Sequence, residues 1–261
     1  MRVGILAAGV GRRLNDRTLP PKVLLEFGGE TLLARHCAIL RRCGVSRIDV
    51  VVGYRADEVE AELARIGADD IVTTRLNPDY LDGSNVSFWT LREAFGAGEP
   101  VVFMDGDVLY DHRLMARLLG SPHANCFLMD RTIEEGEDPV KLCMRDGVLV
   151  DFHKRPQRVH DWWGEWIGFC RFDPGIARKV AAAAARYVTA GRRDAIYEDA
   201  IRDVVLAEPP ATFGIEDITG LPWVEIDFPE DLRKAKREVF PSLRDLPSDH
   251  ELPQAANKAA R

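Results

Sequence analysis

The chain has 261 residues, 46% hydrophobic and 30% charged, with a formal net charge of −7. That suits one large α/β domain with a full core. The acidic balance argues against a general binder of nucleic acid or of an anionic membrane surface.

The chain opens with an apolar run, Val3 to Ala7, which predicts a buried strand. It runs into Ala8-Gly9-Val10-Gly11-Arg12-Arg13-Leu14, and Lys22 follows after Pro20-Pro21. Small residues and two glycines let a backbone approach a bulky group, and glycine permits the positive φ that turns N–H groups toward an anion. Arg12, Arg13 and Lys22 add local positive charge. The combination suits a nucleoside triphosphate over a loop at the carboxyl end of a strand. Two familiar phosphate loops, G-x-x-x-x-G-K-[ST] and G-x-G-x-x-G, are absent from this stretch. The bland alternative is a tight βα turn with solvated arginines.

Thr31 to Cys43 predicts a helix closed by Gly44, Ile48 to Val52 a strand, Asp57 to Ile66 a helix and Ile71 to Thr74 a strand. Such alternation implies a mostly parallel sheet with right-handed crossovers. After the turn-rich stretch 77–85, Val86 to Phe95 predicts a helix, with Ser84 or Asn85 as its cap. Pro100 to Met104 predicts a strand ending in Asp105-Gly106-Asp107. Two carboxylates two positions apart lie on one side of an extended chain, and such hard oxygens suit Mg²⁺. Asp-Gly is also a turn dipeptide.

Cys126 to Asp130 predicts a strand. Lys141 to Arg145 and Val148 to Phe152 predict a hairpin around Asp146-Gly147. His153-Lys154-Arg155-Pro156 is a basic turn that either faces an anionic group or is solvated. Trp162, Trp163 and Trp166 fall in a predicted loop before a strand, Ile167 to Phe172. Their indoles suit a wall for a cation, a dimer contact or core. A long helix from Asp173 to Val188 follows, then one from Ile196 to Leu206, strands from Thr212 to Ile218 and Trp223 to Asp227, and a helix from Phe228 to about Val239. Residues 241–261 lack periodicity and predict a mobile tail beyond a domain of 1–240.

The five cysteines, Cys37, Cys43, Cys126, Cys143 and Cys170, are scattered without metal or disulfide spacing. They suit buried reduced thiols in a cytoplasmic protein. There is neither a signal-peptide pattern nor an apolar run of about 18 residues, so no membrane insertion is expected.

The pattern L-A-A-G-x-G-x-R-L over Leu6–Leu14, with Pro21-Lys22, Asp105-Gly106-Asp107 and Val224-Glu225-Ile226-Asp227, resembles the nucleotidyltransferases with a glycosyltransferase-A-like fold. Among them it looks most like cytidylyltransferases that activate small phosphorylated alcohols or phosphonates, such as phosphocholine or 2-aminoethylphosphonate. The resemblance implies a three-layer α/β/α fold with a mostly parallel, Rossmann-like mixed sheet. It implies CTP as nucleotide, with Leu6, Ala7, Ala8, Gly9, Gly11, Arg12, Arg13, Lys22, Asn85, Ser87 and Asp105 around it. It further implies Mg²⁺ on Asp107 and Asp227. Lys22, Arg12 and Lys154 would neutralise reacting phosphates. The acceptor would meet the part at about 126–220, through Trp163, Glu165, Trp166, Tyr197, Glu198 and Asp199. Two alternatives stay open: a sugar-1-phosphate nucleotidyltransferase using UTP, dTTP or GTP, and a nucleotide-binding regulator without catalysis. A homodimer also stays open, in which the tryptophans would face the second subunit instead of the substrate.

Overall fold

The computed structural model describes residues 1–14, 16, 18–132 and 139–246. The chain begins with β1 (Arg2–Leu6), a small pair β2 (Glu26–Phe27) and β3 (Glu30–Thr31), then α1 (Leu32–Arg42) and β4 (Ile48–Val52). Next come α2 (Ala56–Arg65), β5 (Val72–Leu76), α3 (Ser84–Thr90), α4 (Arg92–Gly96) and β6 (Val101–Asp105). β7 (Val108–Tyr110) and α5 (His112–Gly120) follow, then β8 (Cys126–Asp130), β9 (Lys141–Arg145), β10 (Val148–His153) and the long β11 (Trp162–Phe172). The last elements are α6 (Pro174–Thr189), α7 (Tyr197–Ala207), β12 (Gly214–Asp217), β13 (Trp223–Glu225) and α8 (Pro229–Lys234). A π-helical stretch, Ala235–Val239, carries α8 on to Phe240–Ser242.

β1 sits inside the main sheet, parallel to β4 on one side and β6 on the other; β5 continues the parallel part beyond β4. β11 runs antiparallel to β6 along its C-terminal half. The same edge meets β9 through Trp162–Glu165, and the other edge meets β8 through residues on either side of a bulge. β12 adds parallel to β8, and β10 antiparallel to β9. The sheet is therefore mixed and mostly parallel near β1, as expected.

Helices cover both faces, so the central strands read as near-continuous apolar runs, interrupted in β4 by Asp49. Val3, Ile5, Val50 and Met104 face Leu33 and Leu40 of α1, Leu63 of α2 and Leu114 of α5. Val51, Val101 and Phe103 face Phe88 and Phe95, Val180 of α6 and Ile201 of α7. Neighbouring Val50 and Val51 serve opposite layers because side chains alternate along a strand. A third cluster joins Leu14, Phe27, Leu109, Val224 and Ile226 to Val239 beside the main sheet. Local capping fits the helix starts. Thr31 accepts from the Ala34 amide ahead of α1, and Asp173 accepts from Gly175 and Ile176 with Pro174 in the first turn of α6.

Several expectations change. The helix from Val86 to Phe95 is two pieces, broken at Leu91, and its N-cap is Gly83 rather than Ser84 or Asn85. The Ser84 hydroxyl instead accepts from the Tyr197 amide, which leads α7. β7 and α5 were not expected, although Asp111 caps α5 by accepting from the Arg113 amide. The three tryptophans lie in β11, not in a loop: pairing with β9 extends that strand to Trp162. Residues 241–246 are not loose. Leu243 and Leu246 pack on the core, and the Arg244 amide donates to Asp111. The rest of the expected tail, 247–261, lies outside the described residues. The hairpin is as expected, with positive φ at both Asp146 and Gly147.

The β9–β10 hairpin is tied to α7 by one buried carboxylate. Asp151 accepts from Arg202 Nε at 2.8 Å and Nη2 at 3.1 Å, and from the amides of Gln157 and Arg158. Burial opposes its charge, but Arg202 and the amides outweigh that and hold the carboxyl at about 2. Asp151→Ala strands the Arg202 charge and is expected to cost about 3–5 kcal/mol in urea unfolding. Because the folded pKa is depressed, the stabilisation is complete above the ordinary value of 3.8 and is lost as pH falls toward about 2. The wild-type minus Ala difference should shrink over that window; a difference constant with pH would refute the assignment.

Candidate active site

A cleft of about 1010 Å³ opens along the carboxyl ends of β1, β6 and β13. Open parallel sheets bind ligands at this edge, where the loops of neighbouring strands diverge. Leu6 pairs with Asp105 in register, so the glycine loop and the Asp105-Gly106-Asp107 turn leave the sheet side by side. The loop supplies Leu6, Ala8, Gly9, Arg12 and Arg13 to the cleft. Ala7, Gly11 and Lys22 line a small adjoining cavity together with Asp107. The left-handed backbone is used at Gly11, with φ +66°, whereas Gly9 faces open space where a side chain would stand.

Three carboxylates meet there. Asp107, Glu225 and Asp227 each place an oxygen so that all lie within 4.8 Å of one another. Sequence reasoning assigned Asp107 and Asp227 and missed Glu225. The signal was present, because the alternation in Val224-Glu225-Ile226-Asp227 puts both acids on one face. Lys22 Nζ lies 3.0 Å from Asp107 Oδ2 and 2.6 Å from Asp227 Oδ1. Arg13 Nη1 reaches the other Asp227 oxygen at 2.7 Å. Burial alone would lower the Lys22 pKa; the charges of Asp107 and Asp227 outweigh it and raise the ammonium above its ordinary value. Burial likewise works against the Asp227 charge, but Lys22 and then Arg13 hold its pKa below the usual carboxylate range. Glu225 faces the cleft and has no ion-pair partner among the described residues. Enclosure by the cleft walls, then the charges of Asp107, Asp227 and Asp105, push it well above that range.

Asp105 is treated differently. Tyr197 Oη donates to its Oδ2 at 2.6 Å, and burial followed by the Asp107 charge raises its pKa. Tyr197 is buried against Phe88, Phe103 and Trp166, so α7 is fastened to the end of β6. Below the turn, His36 is fully buried and its Nε2 hydrogen-bonds the Gly106 carbonyl at 3.0 Å. Burial pushes that imidazole down to about 4, so it is neutral and donates through Nε2 at neutral pH.

The remaining expected residues divide. Ser87 lines the cleft and accepts from Asn77. Asn85 does not: it is completely buried, with Nδ2 donating to the Ala184 carbonyl, because α3 packs on α6 through that face. Glu165, Trp166, Tyr197, Glu198 and Lys154 line the cleft. Trp166 does so with little surface; its Nε1 donates to the Phe169 carbonyl within the core. Trp163 is absent from the lining and has Lys141 Nζ 5.0 Å from its ring centre, while Trp162 stacks with Arg131. Asp199 also turns away, toward His153 Nε2 at 3.3 Å. Glu198 is buried, and its Oε2 has no hydrogen-bond partner among the described residues. Burial raises its pKa, and Lys154 lies close enough to act on the charge of both Glu198 and Asp227.

Comparison with known proteins decides the family. The model of the MobA-like NTP transferase domain matches residues 3–156. The chain belongs to this family. Among curated relatives, CMP-5′-(3-aminopropyl)phosphonate synthase of Streptomyces rubellomurinus is 27% identical over 249 residues, 92% of this chain and 39% of that protein. The bifunctional IPC transferase and DIPP synthase of Rubrobacter xylanophilus is 27% identical over 90% of this chain and 51% of that protein. The chain thus spans about half or less of these relatives. CTP:phosphocholine cytidylyltransferase of Streptococcus pneumoniae, 20% identical, superposes with a TM-score of 0.68 over 90% of this chain and 97% of its own. This MobA-like chain therefore shares the nucleotidyltransferase fold. None of its described helices is long and apolar enough to cross a membrane.

The bulge of β11 beside Asp105 depends on Gly168. Its φ is +84°, and a Cβ there would stand 2.6 Å from Asp105 Oδ2. Gly168→Ala is expected to cost about 1–3 kcal/mol in thermal or urea unfolding, from left-handed strain and the displaced carboxylate. An unchanged unfolding midpoint would show that the bulge relaxes freely.

Proposed function

We propose that this chain is a CTP-dependent nucleotidyltransferase that moves CMP onto a small phosphonate or phosphate bearing an ammonium group, with release of pyrophosphate. The observation that carries the reading is one cleft holding both halves of such a site. The glycine loop, Arg12 and the Asp107–Glu225–Asp227 cluster suit a triphosphate, and the unpartnered Glu198 oxygen suits an ammonium group. The activities of the related CMP-5′-(3-aminopropyl)phosphonate synthase and CTP:phosphocholine cytidylyltransferase support the same choice.

The acceptor oxygen is already ionised at neutral pH, so no general base is required. It attacks the α-phosphorus of CTP, a P–O bond to the acceptor forms, and the bond to the bridging oxygen breaks with pyrophosphate leaving. Bringing two anions together is then a problem of positioning and charge neutralisation. Arg12 is exposed in the cleft without an ion-pair partner among the described residues, and it receives the phosphate chain. Lys154 lines the same cleft, near enough to act on the Glu198 and Asp227 charges, and steadies the acceptor oxygens. The donor set of Asp107, Glu225 and Asp227 is all hard oxygen and fits Mg²⁺. When bound there, the ion would supply further neutralisation of phosphate oxygens. Glu198 would pair the acceptor ammonium, with the cleft surfaces of Tyr197 and Trp166 beside it.

Pyrophosphate release across the common triphosphates, with 2-aminoethylphosphonate or phosphocholine as acceptor, should occur mainly with CTP. Equal turnover with UTP or dTTP and a sugar 1-phosphate would overturn the proposal. Asp107→Asn should abolish that turnover with the fold retained. Glu198→Gln keeps shape and removes charge; it should raise the acceptor KM by about tenfold with little change in the KM for CTP. An unchanged acceptor KM would remove Glu198 from the site.

A further inference from the structure

Lys22 is not where a phosphate-binding lysine would wait. Its ammonium is inserted among the carboxylates, in hydrogen-bond reach of both Asp107 and Asp227. Its side chain is 14% exposed, so these two partners, not water, satisfy its charge. The same two carboxylates, with Glu225, form the donor set that fits a divalent cation. An ammonium and a divalent ion cannot share those oxygens at full strength, because each needs the same lone pairs and the two cations repel.

We infer that Lys22 is an internal counter-cation that competes with the divalent ion for Asp107 and Asp227, so that metal loading requires Lys22 to swing out. Without it, three carboxylates would face one another with Arg13, on Asp227, as the remaining paired cation among the described residues. With it, the cluster is held compact and partly neutral before substrate arrives. The inference rests on the nucleotidyltransferase reading for what draws Lys22 away: a triphosphate offers its ammonium new anionic partners in the cleft that adjoins its cavity. Leaving the carboxylates then frees their oxygens for the ion. Nucleotide and metal thereby favour one another's binding through the lysine, in addition to any direct contact between them. Such coupling is reciprocal, so a triphosphate also binds more tightly once the ion has expelled Lys22. The protein without nucleotide would hold the divalent ion weakly, which prevents metal-loaded carboxylates from standing idle in an empty cleft.

The test uses Mn²⁺ alone, with the nucleotide-free full chain, followed by loss of the free-ion paramagnetic resonance signal. Lys22→Met should bind Mn²⁺ about tenfold or more tightly than wild type, a coupling of ordinary size. Lys22→Arg, which keeps a cation, should not show that gain. Equal Mn²⁺ affinity in Lys22→Met and wild type would overturn the inference. Lys22→Met leaves carboxylates unpaired, so circular dichroism must first show that it folds. A second measurement needs no substitution. In wild type, saturating Mn²⁺ should raise acylation of the Lys22 amine by an amine-reactive reagent several-fold, read by peptide mass spectrometry. The half-point of the rise should match that of ion binding. Labelling unchanged at saturation would be equally fatal. Neither readout involves turnover, so a chain that passes both yet releases no pyrophosphate would overturn the proposed function and not the competition.

Discussion

Negative charge packed against negative charge is the constraint around which this molecule is arranged. Asp105, Asp107, Glu225 and Asp227 converge from two strand ends that are far apart in sequence. At close range in a half-dry cleft, such groups repel strongly. The protein answers each in its own way. Asp227 and Asp107 share Lys22, with Arg13 helping Asp227. Asp105 receives the Tyr197 hydroxyl. Glu225 faces the cleft with its pKa raised. Much of the surrounding architecture exists to supply these answers. The Gly11 turn folds over the Lys22 stem, the β11 bulge makes room for Asp105, and α7 carries Tyr197 inward.

The arrangement also separates two kinds of buried polar group. Asp151 is fully compensated by Arg202 and two amides, and it works as a structural tie. Glu198 is also buried, yet one oxygen has no hydrogen-bond partner among the described residues. A buried unpaired acceptor costs stability, and this one stands at the cleft wall, where the proposed ammonium group would satisfy it. The contrast between these two carboxylates is a stronger pointer than the presence of either.

Much of this was legible in the sequence, for identifiable reasons. Strong periods, as in Ile48–Val52 and the Ala-rich stretch of α6, located the central strands and helices. The glycine loop and the Asp105-Gly106-Asp107 turn located the cleft, because strand ends at one sheet edge are neighbours whatever their distance along the chain. What failed was side-chain direction. Asn85 stands at a helix start, but whether it faces ligand or α6 depends on how α3 rolls, and only packing decides that. The tryptophans were misplaced because pairing with β9 turned an apparent loop into strand, which sent Trp163 to Lys141 and Trp166 into the core. Glu198 and Asp199 are neighbours on one helix and point to different surroundings for the same reason.

The tie between Asp151 and Arg202 has a consequence for how this scaffold can be changed. The β9–β10 hairpin attaches to the N-terminal half of β11, while the register with β6 belongs to the C-terminal half. The hairpin therefore looks like a detachable cassette, free to be exchanged without disturbing the strand ends that carry the glycine loop. The buried ion pair says otherwise. A hairpin moved alone would abandon one partner of the pair in α7, the helix that also begins with Tyr197 and Glu198. The smallest transplantable unit is hairpin and helix together, because the ion pair binds one to the other.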